Sequence, residues 1–219
     1  MTGRLKVGVV VSGRGSNLQA LLDACAEPAF PAEIVRVISN NPDVEGLRRA
    51  ERAGVDTRVI NHRDFPDRAS FERSLTASME EAGVELICHA GFMRVVTAGY
   101  LEHWHDRLIN IHPSLLPAFP GLDTHRRALD AGVKLHGCTV HYVREEVDVG
   151  PIIGQAAIPV LTGDTEEILA ARVLQAEHKL YPLCLKLIAE GRVTVTGKTA
   201  RTETAGEAET ALLLNPPSH

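Results

Sequence analysis

Basic charge is in short supply in this 219-residue chain: 23 Lys and Arg stand against 28 Asp and Glu, a formal net charge of −5. Nucleic acid and anionic membranes are held by clustered Lys and Arg, so this balance argues against both as partners and leaves an anionic ligand to local groups. Cysteine is sparse too, and Cys25, Cys88, Cys138 and Cys184 include no C-x-x-C pair. That excludes a zinc knuckle or dithiol redox site and leaves reduced, mostly buried thiols. No apolar stretch approaches the roughly 20 residues of a membrane span. The run Val7 to Val11 is too short for a signal-peptide core. The expectation is a cytoplasmic protein whose 44% hydrophobic residues suffice for one full core.

What is present alternates regularly. Leu5 to Val11 is a β-branched run without a polar face, as in a strand covered on both sides. A Ser-Gly-Arg-Gly-Ser turn follows, then a helix over Asn17 to Cys25 with Leu18, Leu21 and Leu22 at helical spacing. Strands are expected at Glu33 to Ser39, Thr57 to Ile60, Leu86 to Ala90 and Leu108 to Ile111, with helices at Val44 to Ala53, Ala69 to Ala82 and Thr97 to Trp104 between them. This pattern predicts an α/β fold, an open, mostly parallel, twisted Rossmann-like sheet with helices on both faces. After a Pro-rich loop, Pro113 to Gly121, come a short helix near His125 and strands at Gly137 to Val143 and Ile152 to Ile158. With only a turn between them, those two strands can pair antiparallel at a sheet edge. A long helix runs from about Thr165 to Glu190. Residues 1–192 are thus expected to form one domain, and 193–219, rich in Thr, Ala, Glu and Gly, a loosely held extension.

Gly13-Arg14-Gly15-Ser16-Asn17-Leu18 lies between a strand and a helix, where backbone N–H groups and the helix dipole can hold a phosphate. The alternative is an ordinary turn in which Ser16 and Asn17 cap the helix. A dinucleotide fingerprint needs a third glycine where Leu18 stands and an acid where Asn40 and Asn41 stand, so an NAD site is disfavoured. Gly197-Lys198-Thr199 resembles the end of a P-loop, but the upstream glycine position is Arg192 and no apolar helix follows.

Arg107-Leu-Ile-Asn110-Ile-His112-Pro113 is the most informative stretch. Period-2 geometry puts Asn110 and His112 on one side of a strand at its C-terminal end, where open α/β sheets bind ligands. Asp148-Val149-Gly150-Pro151 places a carboxylate in a later turn. It can partner His112, since a nearby carboxylate favours the charged imidazole. It can equally be plain Asp-x-Gly turn chemistry. His103 and His105 flank Trp104 without ligand spacing, and His136 and His141 fall on opposite strand faces, so no metal site is indicated.

Four segments occur together in order: Ser12-Gly-Arg-Gly-Ser-Asn-Leu-Gln19, Ala90-Gly-Phe-Met-Arg94, Asn110-Ile-His-Pro-Ser-Leu-Leu-Pro117 and Asp148-Val-Gly-Pro-Ile152. Jointly they make the chain resemble the glycinamide ribonucleotide formyltransferase family, from about Lys6 to Gly191. The resemblance implies the formyltransferase fold and a role in purine biosynthesis. It also implies attack by the primary amine of glycinamide ribonucleotide on the formyl carbon of 10-formyltetrahydrofolate, a co-substrate. Asn110, His112 and Asp148 would then be catalytic. Gly15, Ser16 and Asn17 would hold the phosphate, and Glu177 would bind the nucleotide from the long helix. Folate would lie against Met93, Arg94, Val95, Val96 and Asn110, with Arg68 near its glutamate end.

For several of these residues the chain alone also permits plainer roles. Met93, Val95 and Val96 can be core, Arg68 a helix-start residue, and Glu177 a solvated helix carboxylate. Arg14 in the loop and Asp123 in Gly121-Leu-Asp-Thr-His125 depart from the family's common pattern. The partners implied are small molecules, and the assembly a monomer or homodimer. The related formyltetrahydrofolate hydrolase is the nearest rival. It carries a regulatory domain ahead of its catalytic one, whereas here the first expected strand begins almost at Met1. A non-catalytic nucleotide-binding module would explain the glycine loop but not the Asn-His-Asp set.

Overall fold

The computed structural model describes residues 3–203 and 215. The main elements are β1 (Leu5–Val11), α1 (Ser16–Ala26), β2 (Ala32–Ser39), α2 (Glu45–Arg52), β3 (Thr57–Val59), α3 (Arg68–Glu81) and β4 (Leu86–His89). They continue with α4 (Ala98–His103), β5 (Leu108–His112), α5 (Thr124–Asp130), β6 (Leu135–Tyr142), β7 (Ile152–Pro159) and α6 (Glu166–Ala189). Seven strands form one open sheet in the order β3-β2-β1-β4-β5-β6-β7. The first five run parallel, and β6 and β7 pair antiparallel at one side.

Chain direction across the sheet reverses at β1, which lies between β2 and β4. Right-handed crossovers moving one way put their helices on one face, and those moving the other way on the opposite face. Side chains follow. Val7, Val9 and Val11 of β1 join Leu18 and Leu21 of α1 and Val173 of α6 in the larger cluster. Val10 points the other way, among Phe71, Leu75 and Trp104 of the α3–α4 face. Strand β5 alternates likewise, with Ile109 and Ile111 in the first cluster and Leu108 in the second. Asn110 and His112 therefore share Leu108's side of the sheet, as period 2 requires.

The expected loose extension needs correction over its first ten residues. Val193–Thr196 (β8) and Thr199–Thr202 (β9) form an antiparallel hairpin, and Thr202 Oγ1 donates to Ile153 O of β7 at 3.0 Å. The physical reason is a run of β-branched residues broken by Gly197-Lys198, with Gly197 at φ 59° in the left-handed region that suits a two-residue turn. Beyond it, Asn215 Nδ2 donates to Lys134 O at 2.7 Å and Val160 O at 2.8 Å. The rest of the expected extension, 204–214 and 216–219, lies outside the described residues. No helix among the described residues is long and apolar enough to cross a membrane.

Tyr181, fully buried in α6, ties this helix to the strand ends that carry the site. Its hydroxyl donates to His89 O at 2.9 Å, with Ile109 O at 3.4 Å. Tyr181→Phe keeps the ring and removes only this donor, leaving a buried carbonyl short of a partner. It is expected to lower unfolding free energy by about 1–3 kcal/mol in urea titrations; no loss would show that α6 is not anchored there.

Candidate active site

A cavity of about 630 Å³ opens at the C-terminal ends of β4 and β5, beside the point where strand order reverses. Three side chains form a row in its wall, because sheet register pairs His89 of β4 with Asn110 of β5, and Asn110 with His141 of β6. Two residues beyond Asn110, His112 is buried, with Nε2 3.0 Å from Phe119 O and Nδ1 3.3 Å from Asp148 Oδ2. Both ring nitrogens thus face acceptors, and both contacts are satisfied as hydrogen bonds when each nitrogen carries a proton.

Asp148 reaches this point from the turn between β6 and β7. It adopts φ 59°, a conformation Asp tolerates better than most residues, and its Oδ2 accepts from Gly121 N at 2.8 Å. The turn is tight: a Cβ on Gly150 would lie 1.6 Å from Tyr142 O, so glycine is required there. Asp148 Oδ1 lies 3.7 Å from His141 Nε2. Burial pushes the His141 pKa down despite the Tyr142 carbonyl and Asp148, favouring the neutral ring. With its Nδ1–H donated to Tyr142 O at 3.0 Å, His141 offers an Nε2 lone pair, and Asn110 Nδ2 lies 3.5 Å away. That contact turns the amide nitrogen of Asn110 toward β6. His89 is also held neutral, burial pushing it down to about 3; its Nε2 has no partner, and its ring packs 4.7 Å from that of Phe92.

The glycine loop closes the other end. Gly15 is the N-cap of α1 at φ 66°, and no side chain caps the helix. The alternative in which Ser16 and Asn17 cap the helix is therefore wrong. The left-handed turn starts α1 at Ser16, and a Cβ on Gly15 would press to 2.6 Å from Gly46 Cα. Asn17 Nδ2 instead donates to Glu177 Oε2 at 2.7 Å, while Asn17 Oδ1 is buried without a partner. Glu177 is not a solvated carboxylate. It is buried, lines the cavity with Asn17, and burial raises its pKa although the Asn17 bond lowers it.

In the segment after β4, Met93 and Val95 are 70% and 54% exposed and form an apolar wall instead of core, whereas half-buried Val96 lines the cavity and also packs against the core cluster of Phe71 and Phe92. Arg94 also lines the cavity and stacks over Phe71 at 5.7 Å. Arg68 does not line it. It is the exposed first residue of α3, behind the N-cap Asp67, which takes Ser70 N. The residues missed in the sequence are His89 and His141. Their parity along β4 and β6 was readable, but their alignment on Asn110 is a matter of cross-strand register.

Glu177 supplies a pH signature. The unfolded carboxyl ionises near 4.5, the buried one at higher pH, so the native state holds more protons in that window and stability falls as pH rises through it. Glu177→Gln cannot titrate. Its stability advantage over wild type in urea unfolding is expected to grow as pH rises above about 4.5; a pH-independent difference would show that burial does not strain this carboxylate.

Known proteins share this architecture. The formyl transferase family model matches residues 5–185. A trifunctional purine biosynthetic protein adenosine-3 from Gallus gallus is 50% identical over 89% of the chain, which spans only 19% of that protein's length. The phosphoribosylglycinamide formyltransferase of Escherichia coli K12 is 42% identical over 86% of this chain and 89% of its own length. Among solved structures, glycinamide ribonucleotide transformylase 1 from Symbiobacterium toebii superposes with a TM-score of 0.90 at 48% identity, covering 92% of this chain and 95% of that one. A formyltetrahydrofolate deformylase from Burkholderia mallei also superposes, with a TM-score of 0.84 at 30% identity over 92% of this chain and 71% of that one. The matching model, the near full-length bacterial relative and the shared sheet place the chain in the formyl transferase family, among the phosphoribosylglycinamide formyltransferases.

Proposed function

We propose that the chain transfers the formyl group of 10-formyltetrahydrofolate to the primary amine of glycinamide ribonucleotide, as a cytoplasmic enzyme of purine biosynthesis. The observation that carries this reading is the meeting of Asn110, His112 and Asp148 in one cavity that also takes in Asn17 and Glu177 beside an uncapped glycine loop. Gly15, Ser16 and Asn17 would take the phosphate with backbone N–H groups. Asn17 Oδ1 and Glu177 would accept hydrogen bonds from the sugar or amide. The apolar wall of Met93, Val95 and Val96, with Arg94 beside it, suits the flat ring of a folate; Arg68 stands outside that wall and has at most a contact with the folate's distal end.

In the reaction the amine nitrogen bonds to the formyl carbon and the carbonyl electrons move onto oxygen. The tetrahedral oxyanion then collapses, breaking the bond to the folate N10. That nitrogen gains a proton and the amine nitrogen loses one. Asn110 Nδ2, held by His141, donates to the oxyanion, an interaction worth roughly 3 kcal/mol in comparable sites. His112, oriented by Asp148, is the proton-transfer group, its Nε2 exchanging Phe119 O for the reacting atoms when substrate binds. The nucleotide subsite favours transfer over hydrolysis of the same folate, since a hydrolase has no use for a phosphate loop whose Asn17 lines the cavity.

Steady-state assays of tetrahydrofolate release, with glycinamide ribonucleotide present or absent, test the proposal. His112→Ala and Asp148→Asn are each expected to depress nucleotide-dependent turnover at least about tenfold, and the double variant little further, because the pair acts as a unit. Additive losses would separate the two residues, and turnover indifferent to the nucleotide would identify a hydrolase.

A further inference from the structure

Helix α2 packs its N-terminal end against the Gly13–Ser16 loop and holds that loop by its carbonyl oxygens. Gly46 N donates to Gly13 O at 3.0 Å, and Arg49 Nε donates to Arg14 O at 3.0 Å. The next carbonyl, Gly15 O, takes Gln19 N at 3.0 Å as the first bond of α1. In a trans peptide the N–H points opposite to the C=O. Tying back these three carbonyls therefore turns the N–H groups of Arg14, Gly15 and Ser16 the other way. Among the described residues none of these three donates to a protein acceptor. They lie at the positive end of the α1 dipole, beside the buried, unpartnered Oδ1 of Asn17, which lines the cavity.

Arg49 makes a second contact: its Nη1 donates to Gln19 Oε1 at 3.1 Å, and Gln19 Nε2 donates to Asp23 Oδ1 at 2.7 Å. One guanidinium thus bridges the loop and the first turn of α1. A planar fork sets the spacing between two acceptors; an ammonium on a flexible stem does not.

We infer that Arg49 is a positioning residue for the nucleotide's phosphate, holding the loop peptides with their N–H groups outward while touching no reacting atom. The inference rests on the loop being the phosphate subsite proposed above, and it is tested with two probes: ribose 5-phosphate binding by calorimetry, and steady-state formyl transfer. Arg49→Ala is expected to weaken ribose 5-phosphate binding and raise the nucleotide KM about tenfold, the equivalent of one charge-assisted hydrogen bond. The kcat and the folate KM are expected to stay within about twofold, since the interaction lost is made equally in ground and transition states. Arg49→Lys keeps the charge without the fork and is expected not to restore binding. Gln19→Ala, which removes one arm of the bridge, is expected to give a smaller loss of about threefold.

Full rescue by lysine would reduce Arg49 to a charge and overturn the inference. Unchanged ribose 5-phosphate binding, losses shared equally by kcat and folate KM, or a wild type that binds no ribose 5-phosphate would overturn it too. A wild type that binds ribose 5-phosphate through Arg49 yet transfers no formyl group would uphold the positioning and refute the proposed function.

Discussion

The Asp148 carboxylate is the constraint on which the site depends. It meets His112 at 3.3 Å, Gly121 N at 2.8 Å and, less closely, His141 at 3.7 Å, gathering β5, the loop after it and the end of β6 around one charge. The three contacted positions, 112, 121 and 141, share no helix or strand. A backbone held at φ 59°, in a turn that admits only glycine at position 150, aims the carboxylate inward. Strain of this kind persists where surrounding contacts fix the conformation, as they do in a preorganised site.

Burial divides the titratable groups around that charge into distinct states. His89 and His141 are driven toward the neutral form, while His112 has acceptors at both nitrogens, one of them an anion. Neutral His141 can therefore accept from Asn110 while His112 donates. His89, His112 and His141 serve different ends in one cavity because each meets a different set of neighbours. At the far end Glu177 is buried against a single Asn17 bond, a costly arrangement for an anion and one that a ligand bearing hydrogen-bond donors would relieve. The overall charge of −5 is no obstacle to an anionic substrate, because the open amides of one loop need no basic surface.

Much of this was legible in the chain. Leu5 to Val11 as a doubly covered strand, the strand-helix alternation that follows and the antiparallel pair at the sheet edge all follow from periodicity and turn chemistry. The shared side of Asn110 and His112 follows from period 2 alone. What escaped depends on tertiary partners. His89 and His141 face Asn110 only because of a cross-strand register, and the connection from β5 to β6 is too long and irregular to set it from sequence. The Gly15 cap replaces the alternative in which Ser16 and Asn17 cap the helix, because α2 packs against the loop and Asn17 is drawn to Glu177, 160 positions away. The β8–β9 hairpin was readable in Val193 to Thr199, but the polar composition around it outweighed that local signal.

In the proposed function the cavity joins a nucleotide subsite to a formyl-transfer centre, and the fate of the formyl carbon measures that junction. With 13C-labelled formyl folate and glycinamide ribonucleotide supplied together, carbon NMR of the products is predicted to show the label as an amide formyl on the nucleotide, formed in step with tetrahydrofolate. Label collecting instead as free formate, with the nucleotide unaltered, would refute the proposed transfer.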